Sequence, residues 1–316
     1  MINIGIDLGG TNIAVGAVDS EGHILGTFST KTLAHRPYQS IVKDMAWCIE
    51  NILKKLNMTE DDINSIGIGI PGLGDAKTES VVFCTNLGTG WRDIPLGAEL
   101  RKYYNKPIFI DNDATVAGFA ENMAGISKGA ESSVFITLGT GVGGGIIING
   151  KPWSGFHGIG SEIGHMTIVA DGVPCTCGNK GCAERYCSAT AIIRMAKEAC
   201  QRNPDNQILR DAKGDIDRIN AKIVIDAAKA GDPLAEIVFD QYATYLAMLI
   251  NNIVATIDPE VIVLGGGVSH AGQFLIDAVN KHLPELQLYK SLPYPEVKLA
   301  TLGNDAGIIG AAMLGA

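Results

Sequence analysis

Apolar and polar residues alternate along the chain in blocks that predict strands and helices in turn. In residues 41–56 and again in residues 222–253, apolar side chains recur at spacings of three and four, which predicts helices. The most apolar stretch, residues 243–267, is interrupted twice by short polar segments. It therefore predicts a core helix followed by a core strand rather than a membrane span. The repeated exchange of strand-like for helical segments predicts an α/β architecture.

Two segments share one layout, in which an apolar strand, Leu-Gly, a turn of glycine and threonine, and a second apolar strand follow one another. They are GIDLGGTNIAVGAV at 5–18 and FITLGTGVGGGIII at 135–148. The repeat predicts two related halves, each opening with a hairpin whose turn is bare backbone. Two unrelated hairpins are the alternative, because hairpin turns commonly need glycine.

Both turns are candidate phosphate sites, because glycine and threonine expose backbone N–H groups and hydroxyls to an anion. The chain has no G-x-x-x-x-G-K-[ST] sequence, so a P-loop is not expected. Asp7, just before the first turn, could hold Mg²⁺ against the phosphates, directly or through water. A third glycine run, VIVLGGGVS at 261–269, ends an apolar strand and would let a base or ribose lie close to the backbone.

One segment, IFIDNDATVAGFAE at 108–121, ends a strand in two acids around an asparagine and then starts a helix. Phosphoryl transfer to a hydroxyl needs a carboxylate that takes the hydroxyl proton. Asp113 is a candidate for this base. The same residue would also serve as the N-cap of the helix, and the residues alone leave both roles open.

Three cysteines lie within eight positions of a chain that has seven in all, and a histidine lies ten residues upstream. Cys175, Cys177, Cys182 and His165 supply the three thiolates and one imidazole of a tetrahedral zinc site. Such a site keeps no open position for water, so the metal would be structural. A redox dithiol is the alternative, although the C-x-C spacing differs from the C-x-x-C of thioredoxin-like proteins.

Charge and cysteine content restrict the binding partners and the cellular compartment that we expect for the protein. The net charge is −9, which argues against binding to a nucleic-acid backbone. An odd cysteine count, with no basic and apolar leader at the N-terminus, predicts a cytoplasmic protein without disulfides. We therefore expect neither nucleic acid nor membrane among its partners.

The glycine segments also carry a family resemblance. In this order, DLGGTN, LGTGVGGG and LGGGVS resemble the two phosphate segments and the adenosine segment of the actin-like sugar kinase superfamily. The stretch LGTGVGGGIIINGKPWSGFHGIGSEIGH at 138–165 resembles the signature of the ROK family, which comprises bacterial sugar kinases and sugar-responsive repressors. The resemblance covers essentially the whole chain.

The resemblance implies an α/β, two-domain actin-like (ribonuclease H-like) fold with an interdomain cleft. The small domain would comprise residues 1–118, with the C-terminal helix 301–316 returning to it. The large domain would comprise residues 119–300 and carry the zinc loop.

The resemblance also implies roles for individual residues. ATP and Mg²⁺ would be bound by Asp7, Gly9, Gly10, Thr11, Asn12, Gly139, Thr140, Gly141, Gly265, Gly266 and Gly267. The sugar would be bound by Pro71, Gly72, Asn86, Asn112, Asp113, Glu162, His165 and Glu184. Asp113 rather than Asp111 would be the catalytic base, and the zinc would join the two loops that carry the sugar-binding glutamates.

These roles describe an ATP-dependent hexose kinase, most similar to the glucokinases, that phosphorylates the 6-hydroxyl of glucose. Allose, N-acetylmannosamine, N-acetylglucosamine and fructose are alternative substrates, because segment 85–96 and His157 depart from the glucokinase pattern. A sugar-sensing regulator and a non-catalytic sugar-binding module are the rival classes. Members of the family are often dimers, and we expect a homo-oligomer.

Overall fold

The structure, a computed structural model, describes residues 1–84, 86–88 and 90–316. Its strands are β1 Ile2–Leu8, β2 Asn12–Val18, β3 Ile24–Lys31, β4 Ile63–Ile70, β5 Leu73–Asp75, β6 Ser80–Phe83, β7 Arg92–Ile94, β8 Ile108–Asn112, β9 Ser132–Leu138, β10 Val142–Ile148, β11 Lys151–Pro152, β12 Val261–Gly265 and β13 Glu296–Leu299. Its helices are α1 Tyr38–Leu56, α2 Leu96–Arg101, α3 Asp113–Ala124, α4 Glu184–Cys187, α5 Ala189–Arg202, α6 Gln207–Asp211, α7 Ala221–Lys229, α8 Pro233–Ile257, α9 Gln273–Leu286 and α10 Ala306–Met313. The predicted α/β architecture and the predicted helix at 41–56 are confirmed.

A five-stranded sheet with the order β3-β2-β1-β4-β8 forms the centre of the N-terminal part. Strands β1 to β3 are antiparallel, whereas β4 is parallel to β1 and β8 is parallel to β4. Nearly every residue of β1 is buried, as expected for a central strand covered on both faces. Apolar residues of α1, such as Ile41, Met45 and Ile49, share one core with the isoleucines of β1 and β4.

Two glycines let helix α10 pack on the other face of this sheet. Gly5 of β1 and Gly67 of β4 are direct neighbours in the parallel ladder. A Cβ at Gly5 would overlap the carbonyl oxygen of Ile308, and one at Gly67 would overlap that of Ala311. The paired glycines therefore provide the space in which the helix backbone touches the sheet.

A second sheet has the order β11-β10-β9-β12-β13, and a third, of three strands, has the order β5-β6-β7. Both predicted hairpins are present, because β1 and β2 are antiparallel neighbours and β9 lies next to β10 across a three-residue turn. The predicted core helix and core strand in 243–267 are α8, which buries one face, and β12, which is buried throughout.

The helical stretch predicted over 222–253 is confirmed as two helices, because the chain breaks between α7 and α8. Gly231 has a φ of 83°, a left-handed conformation that favours glycine. The side chain of Asp232 then accepts a hydrogen bond from the Ala235 N–H and caps α8, and Pro233 occupies the first turn.

The described residues form two compact units. The first comprises Met1–Phe135, Gly145–Ser161 and Thr301–Ala316, and the second comprises Ile136–Gly144 and Glu162–Ala300. The first unit thus includes the C-terminal helix, and it also includes 119–135 and 145–161. The functional boundaries expected at residues 118 and 300 stay a prediction. In the part of the chain that the structure describes, we find no helix with the length and apolar character of a membrane span.

Candidate active site

The first glycine turn connects β1 to β2 in the first unit and is held from both of its ends. The Gly9 N–H donates to the carbonyl oxygen of Asn12 at 2.9 Å, which closes the turn. Thr32, which is fully buried just after β3, donates its hydroxyl to Gly9 O at 2.6 Å and its N–H to Thr11 O at 2.9 Å. These bonds fix the backbone of the turn, and nothing in the sequence marked Thr32 for this role.

Asp7 lies in β1 two residues before this turn, and a glycine of α10 makes room for it. A Cβ at Gly307 would lie 2.7 Å from the Asp7 carboxyl carbon, too close for any other side chain. Burial raises the pKa of Asp7 above its ordinary value. A bound divalent cation would favour the ionised form and offset this effect.

The second glycine turn, residues 139–141, lies in the second unit and is braced by the start of α5. The Gly139 N–H donates to Gly141 O at 3.0 Å, and Gly139 O accepts from the Ala189 N–H at 2.8 Å. The Thr190 hydroxyl donates to Thr140 O at 2.9 Å. Both turns therefore have a backbone that is fixed by hydrogen bonds from outside the hairpin.

Glu184, which the sequence places among the sugar ligands, lies against this second turn. Its Oε2 accepts a hydrogen bond from the Val142 N–H at 3.2 Å. A Cβ at Gly141 would overlap the same oxygen, so the glycine is needed for this approach. The structure therefore brings together one predicted sugar residue and one predicted phosphate segment, which the sequence separates by about forty positions.

The third glycine run follows β12 and contacts the strand that leads into the second turn. Gly266 has a φ of 80°, and a Cβ on it would lie 2.7 Å from the backbone N and O of Leu138. Gly267 has open space on its Cβ side among the described residues. The two glycine segments that the sequence assigns to the nucleotide in this half are thus neighbours.

The Asn112-Asp113 pair marks the junction of β8 and α3. The Asn112 side chain accepts hydrogen bonds from the N–H groups of Ala114 at 2.9 Å and Thr115 at 3.3 Å, so Asn112 is the N-cap. Asp113 is the first residue of the helix and is exposed, and its carboxylate accepts from the Ala114 N–H at 2.8 Å. The alternative role of Asp113 as the N-cap is therefore wrong.

The segment Pro71-Gly72 lies next to this junction. The Asn112 amide donates to Gly72 O at 3.1 Å, and the Cys84 thiol lies 3.1 Å from Pro71 O. A Cβ at Gly72 would overlap Phe83 O, so this close approach of two backbones requires glycine. Three predicted sugar residues, Pro71, Gly72 and Asn112, are therefore adjacent in the first unit.

Asn86 lies between β6 and β7 and contacts the first glycine turn. Its carbonyl oxygen would lie 3.0 Å from a Cβ on Gly10. Within the segment 85–96 that carries the glucokinase-like pattern, Thr85 and Thr89 lie outside the described residues. Asn86 thus lies beside a predicted phosphate segment, as Glu184 does in the second unit.

Asp111, the other acid of the segment, has partners of its own. Its two carboxylate oxygens each lie 3.1 Å from the Ser154 hydroxyl, and Oδ1 accepts from the Asn112 N–H at 2.7 Å. Burial raises the pKa of Asp111 above its ordinary value, and the hydrogen bonds oppose that shift. Sequence reasoning missed Ser154, whose partner lies more than forty residues away.

The four predicted metal ligands lie together in the second unit. The candidate ligand atoms of His165, Cys175, Cys177 and Cys182 are all within 4.8 Å of one another. The Cys177 and Cys182 sulfurs are 3.6 Å apart, and the Cys175 sulfur lies 3.7 Å from His165 Nδ1. Zinc–sulfur bonds of about 2.3 Å in a tetrahedron would place the sulfurs about 3.8 Å apart, so the set fits this metal.

Local structure and electrostatics add to this fit. Hydrogen bonds of 2.8 Å from the Cys175 N–H to Asn179 O and of 3.1 Å from the Gly178 N–H to Cys175 O form a tight loop. Burial raises the pKa of the Cys182 thiol to about 12, so a cation is needed to hold it as the thiolate. His165 Nε2 is 3.9 Å from Glu162 Oε2, which places a predicted sugar carboxylate beside a predicted ligand.

The remaining cysteines are distinct from this cluster. Cys48, Cys84, Cys187 and Cys200 are buried, and burial raises the pKa of each thiol. All four are therefore core thiols outside the candidate metal cluster.

Comparison with known proteins agrees with the fold. Residues 3–316 match the ROK family. The chain is 37% identical to a glucokinase of Halalkalibacterium halodurans over 313 residues. These aligned residues are 98% of this chain and 94% of that protein. A xylose repressor of Caldicellulosiruptor bescii is 25% identical over 307 residues, which is 97% of this chain and 76% of that protein.

A solved structure with similar coverage is that of a ROK family glucokinase from Streptomyces griseus in complex with glucose and AMPPNP. It matches with a TM-score of 0.81 and 35% identity, over 99% of each chain. The fold is thus the α/β, two-domain actin-like fold of the ROK kinases. With the family match spanning nearly every residue, this protein belongs to the ROK family.

Proposed function

We propose that this protein is an ATP-dependent hexose kinase that transfers the γ-phosphoryl group of ATP to the 6-hydroxyl of glucose. The observation that carries the proposal is the position of Asp113, an exposed carboxylate one residue beyond the N-cap of α3. Because Asn112 caps the helix, Asp113 is not needed for that structural role. The glucokinase relatives, at 37% identity and below, support the same substrates.

Asp113 would act as the general base. As the 6-hydroxyl attacks the γ-phosphorus, its proton passes to the Asp113 carboxylate, while the bond from the γ-phosphorus to the bridging oxygen breaks and ADP leaves. Asn112 would contact the sugar together with Pro71, Gly72 and Asn86 from the first unit. The hydrogen bond from the Asn112 amide to Gly72 O supports this assignment.

ATP would be held by the two glycine turns and the third glycine run. The fixed backbones of residues 9–12 and 139–141 support phosphate binding, because such sites depend on preorganised N–H groups. Gly265, Gly266 and Gly267 would contact the adenosine. Asp7 would hold Mg²⁺, which neutralises phosphate charge when it is bound.

Glu162, His165 and Glu184 of the second unit would bind the sugar hydroxyls. The cysteine cluster would hold a structural Zn²⁺ through His165, Cys175, Cys177 and Cys182, and the 3.6 Å and 3.7 Å separations support that metal over a redox dithiol. When bound, zinc fixes the loop that carries His165 beside Glu162. Reduced thiols of this kind suit the cytoplasm, where we expect a homodimer.

The direct test is product identification by ³¹P nuclear magnetic resonance with Mg·ATP and glucose. We expect ADP and glucose 6-phosphate in equal amounts. ATP consumption without a sugar phosphate, or glucose binding without turnover, would contradict the proposal. The second result would favour a sugar-responsive regulator of the kind found among the relatives.

A further inference from the structure

The end of strand β3 lies beside the first glycine turn and brings a lysine to it. Asn12 and Lys31 are partners in the antiparallel register of β2 and β3, so their side chains lie on the same face of the sheet. The Lys31 ammonium donates to Asn12 Oδ1 at 2.9 Å. Both side chains are exposed, so a ligand at the turn has access to them.

The residue after Lys31 fixes this strand to the turn. Thr32 is fully buried, and its hydroxyl and N–H donate to the carbonyl oxygens of Gly9 and Thr11. The backbone position of Lys31 relative to the turn is therefore rigid. Only the side chain has to move for its ammonium to leave Asn12 and meet a ligand.

The charge of this lysine is not cancelled by the contact it makes. Exposed lysines such as Lys54, Lys102 and Lys222 pair with carboxylates three or four residues earlier or later in the chain. Lys31 donates instead to an uncharged amide oxygen. The chain has a net charge of −9, so an ammonium held at a glycine turn creates a local positive potential that attracts an anion.

We propose that Lys31 is a phosphate-binding residue of the nucleotide site, whose ammonium pairs with the β- and γ-phosphate oxygens held at residues 9–12. The proposal rests on the proposed function, because it takes this turn as a phosphate site. A lysine would then neutralise the phosphates as one does in P-loop enzymes, but it comes from the neighbouring strand β3.

The test compares Lys31→Met with Lys31→Arg and with Lys102→Met, a control that removes a surface lysine paired with Glu99. Calorimetry would measure binding of Mg·ATP, Mg·ADP and AMP, and steady-state assays would give KM for ATP and for glucose. We expect Lys31→Met to weaken ATP and ADP binding about 10- to 100-fold, as for the loss of one charge-assisted hydrogen bond. AMP binding and KM for glucose should change by less than about threefold, and Lys31→Arg should recover most of the loss.

Wild-type affinity for ATP in Lys31→Met would overturn the inference while the proposed function stands. An equal loss for ATP and AMP would also overturn it, because a phosphate contact at the β and γ positions leaves AMP unaffected. If the wild-type protein binds no ATP at all, the proposed function fails together with the inference. Circular dichroism of each variant would show that the fold is retained.

Discussion

At the scale of single residues, three consecutive polar side chains at the end of β8 have different surroundings. Asp111 is half-buried and contacts Ser154, Asn112 caps α3, and Asp113 is exposed at the first turn of that helix. A half-buried acid with its own hydrogen-bond donor is suited to a structural role, whereas an exposed acid can contact a substrate. The role of each residue therefore follows from its position rather than from its type.

Asp113→Asn should lower kcat by about 10²- to 10⁴-fold while glucose affinity stays nearly unchanged, because the amide still forms hydrogen bonds but accepts no proton. The matched control is Asp111→Asn, which changes the neighbouring acid in the same way and should keep kcat within about tenfold. Coupled turnover and glucose titration of both variants measure the difference. Wild-type turnover in Asp113→Asn would remove it as the base.

Asp111→Asn should also change how stability depends on pH. Burial raises the pKa of Asp111 in the folded state, so the folded protein binds this proton more tightly than the unfolded chain does. The unfavourable effect of its ionisation is absent below the unfolded pKa and grows as the pH rises through the raised pKa. The variant keeps the acceptor for Ser154 and should therefore gain stability relative to wild type as the pH increases toward neutral.

Asp75→Asn is the control of opposite sign. The hydrogen bond from the Thr78 hydroxyl lowers the pKa of Asp75, so its ionised form favours the folded state above the unfolded pKa. This variant should lose stability relative to wild type over the same rise in pH. Urea unfolding at a series of pH values would give the free energy of unfolding of the three proteins. If this free energy depends on pH in the same way in all three, the pKa shifts assigned to Asp111 and Asp75 are both contradicted.

At the scale of elements, glycine decides where helix and sheet backbones touch. Gly67→Ala should destabilise the protein by about 1–3 kcal/mol or more, because its Cβ would overlap Ala311 O in α10. Gly90→Ala is the control, since no described atom lies within 4 Å of that Cβ position. It should change the free energy of unfolding by less than about 0.5 kcal/mol. Equal urea midpoints for the two variants would show that α10 does not contact the sheet there.

The loop that carries Cys175, Cys177 and Cys182 is the second element whose role can be tested. Cys177→Ser should remove zinc from the purified protein and weaken glucose binding by about tenfold or more, with a smaller effect on ATP binding. The reason is that the metal would fix His165, beside Glu162, rather than the glycine turns. Elemental analysis and separate titrations of glucose and ATP measure these effects.

Cys200→Ala serves as the matched control, because this buried cysteine lies outside the cluster and should leave zinc content unchanged. Wild-type protein that is free of zinc and fully active would contradict the structural metal. A disulfide between Cys177 and Cys182 in that protein, detected by mass spectrometry, would favour the redox alternative.

At the scale of the whole molecule, the features that were predictable from the sequence are those that short segments specify. The glycine turns, the β8–α3 junction and the four candidate metal ligands are each local patterns of residue type and spacing. The break at Gly231 was predictable as well, because Asp232-Pro233 is a typical start of a helix. The apolar periodicity, which continues across these residues, does not indicate it.

Contacts between distant segments were not predictable, because they depend on strand register and tertiary packing. The bonds of Thr32 to Gly9, of Ser154 to Asp111 and of Lys31 to Asn12 belong to this group. The position of Glu184 beside the second turn is another such case. No periodicity in one segment indicates which residue another segment will bring to it.

The most direct test of the account is kcat/KM of the wild-type protein for glucose, allose, mannose, fructose, N-acetylglucosamine and N-acetylmannosamine with saturating Mg·ATP. A site that hydrogen-bonds particular hydroxyls can reject analogues by up to about 10⁴-fold, so one sugar should stand clearly above the others. We predict that this sugar is glucose. A higher value for an N-acetylhexosamine would contradict glucose as the substrate but not the kinase, whereas failure to phosphorylate any of the six would contradict the account as a whole.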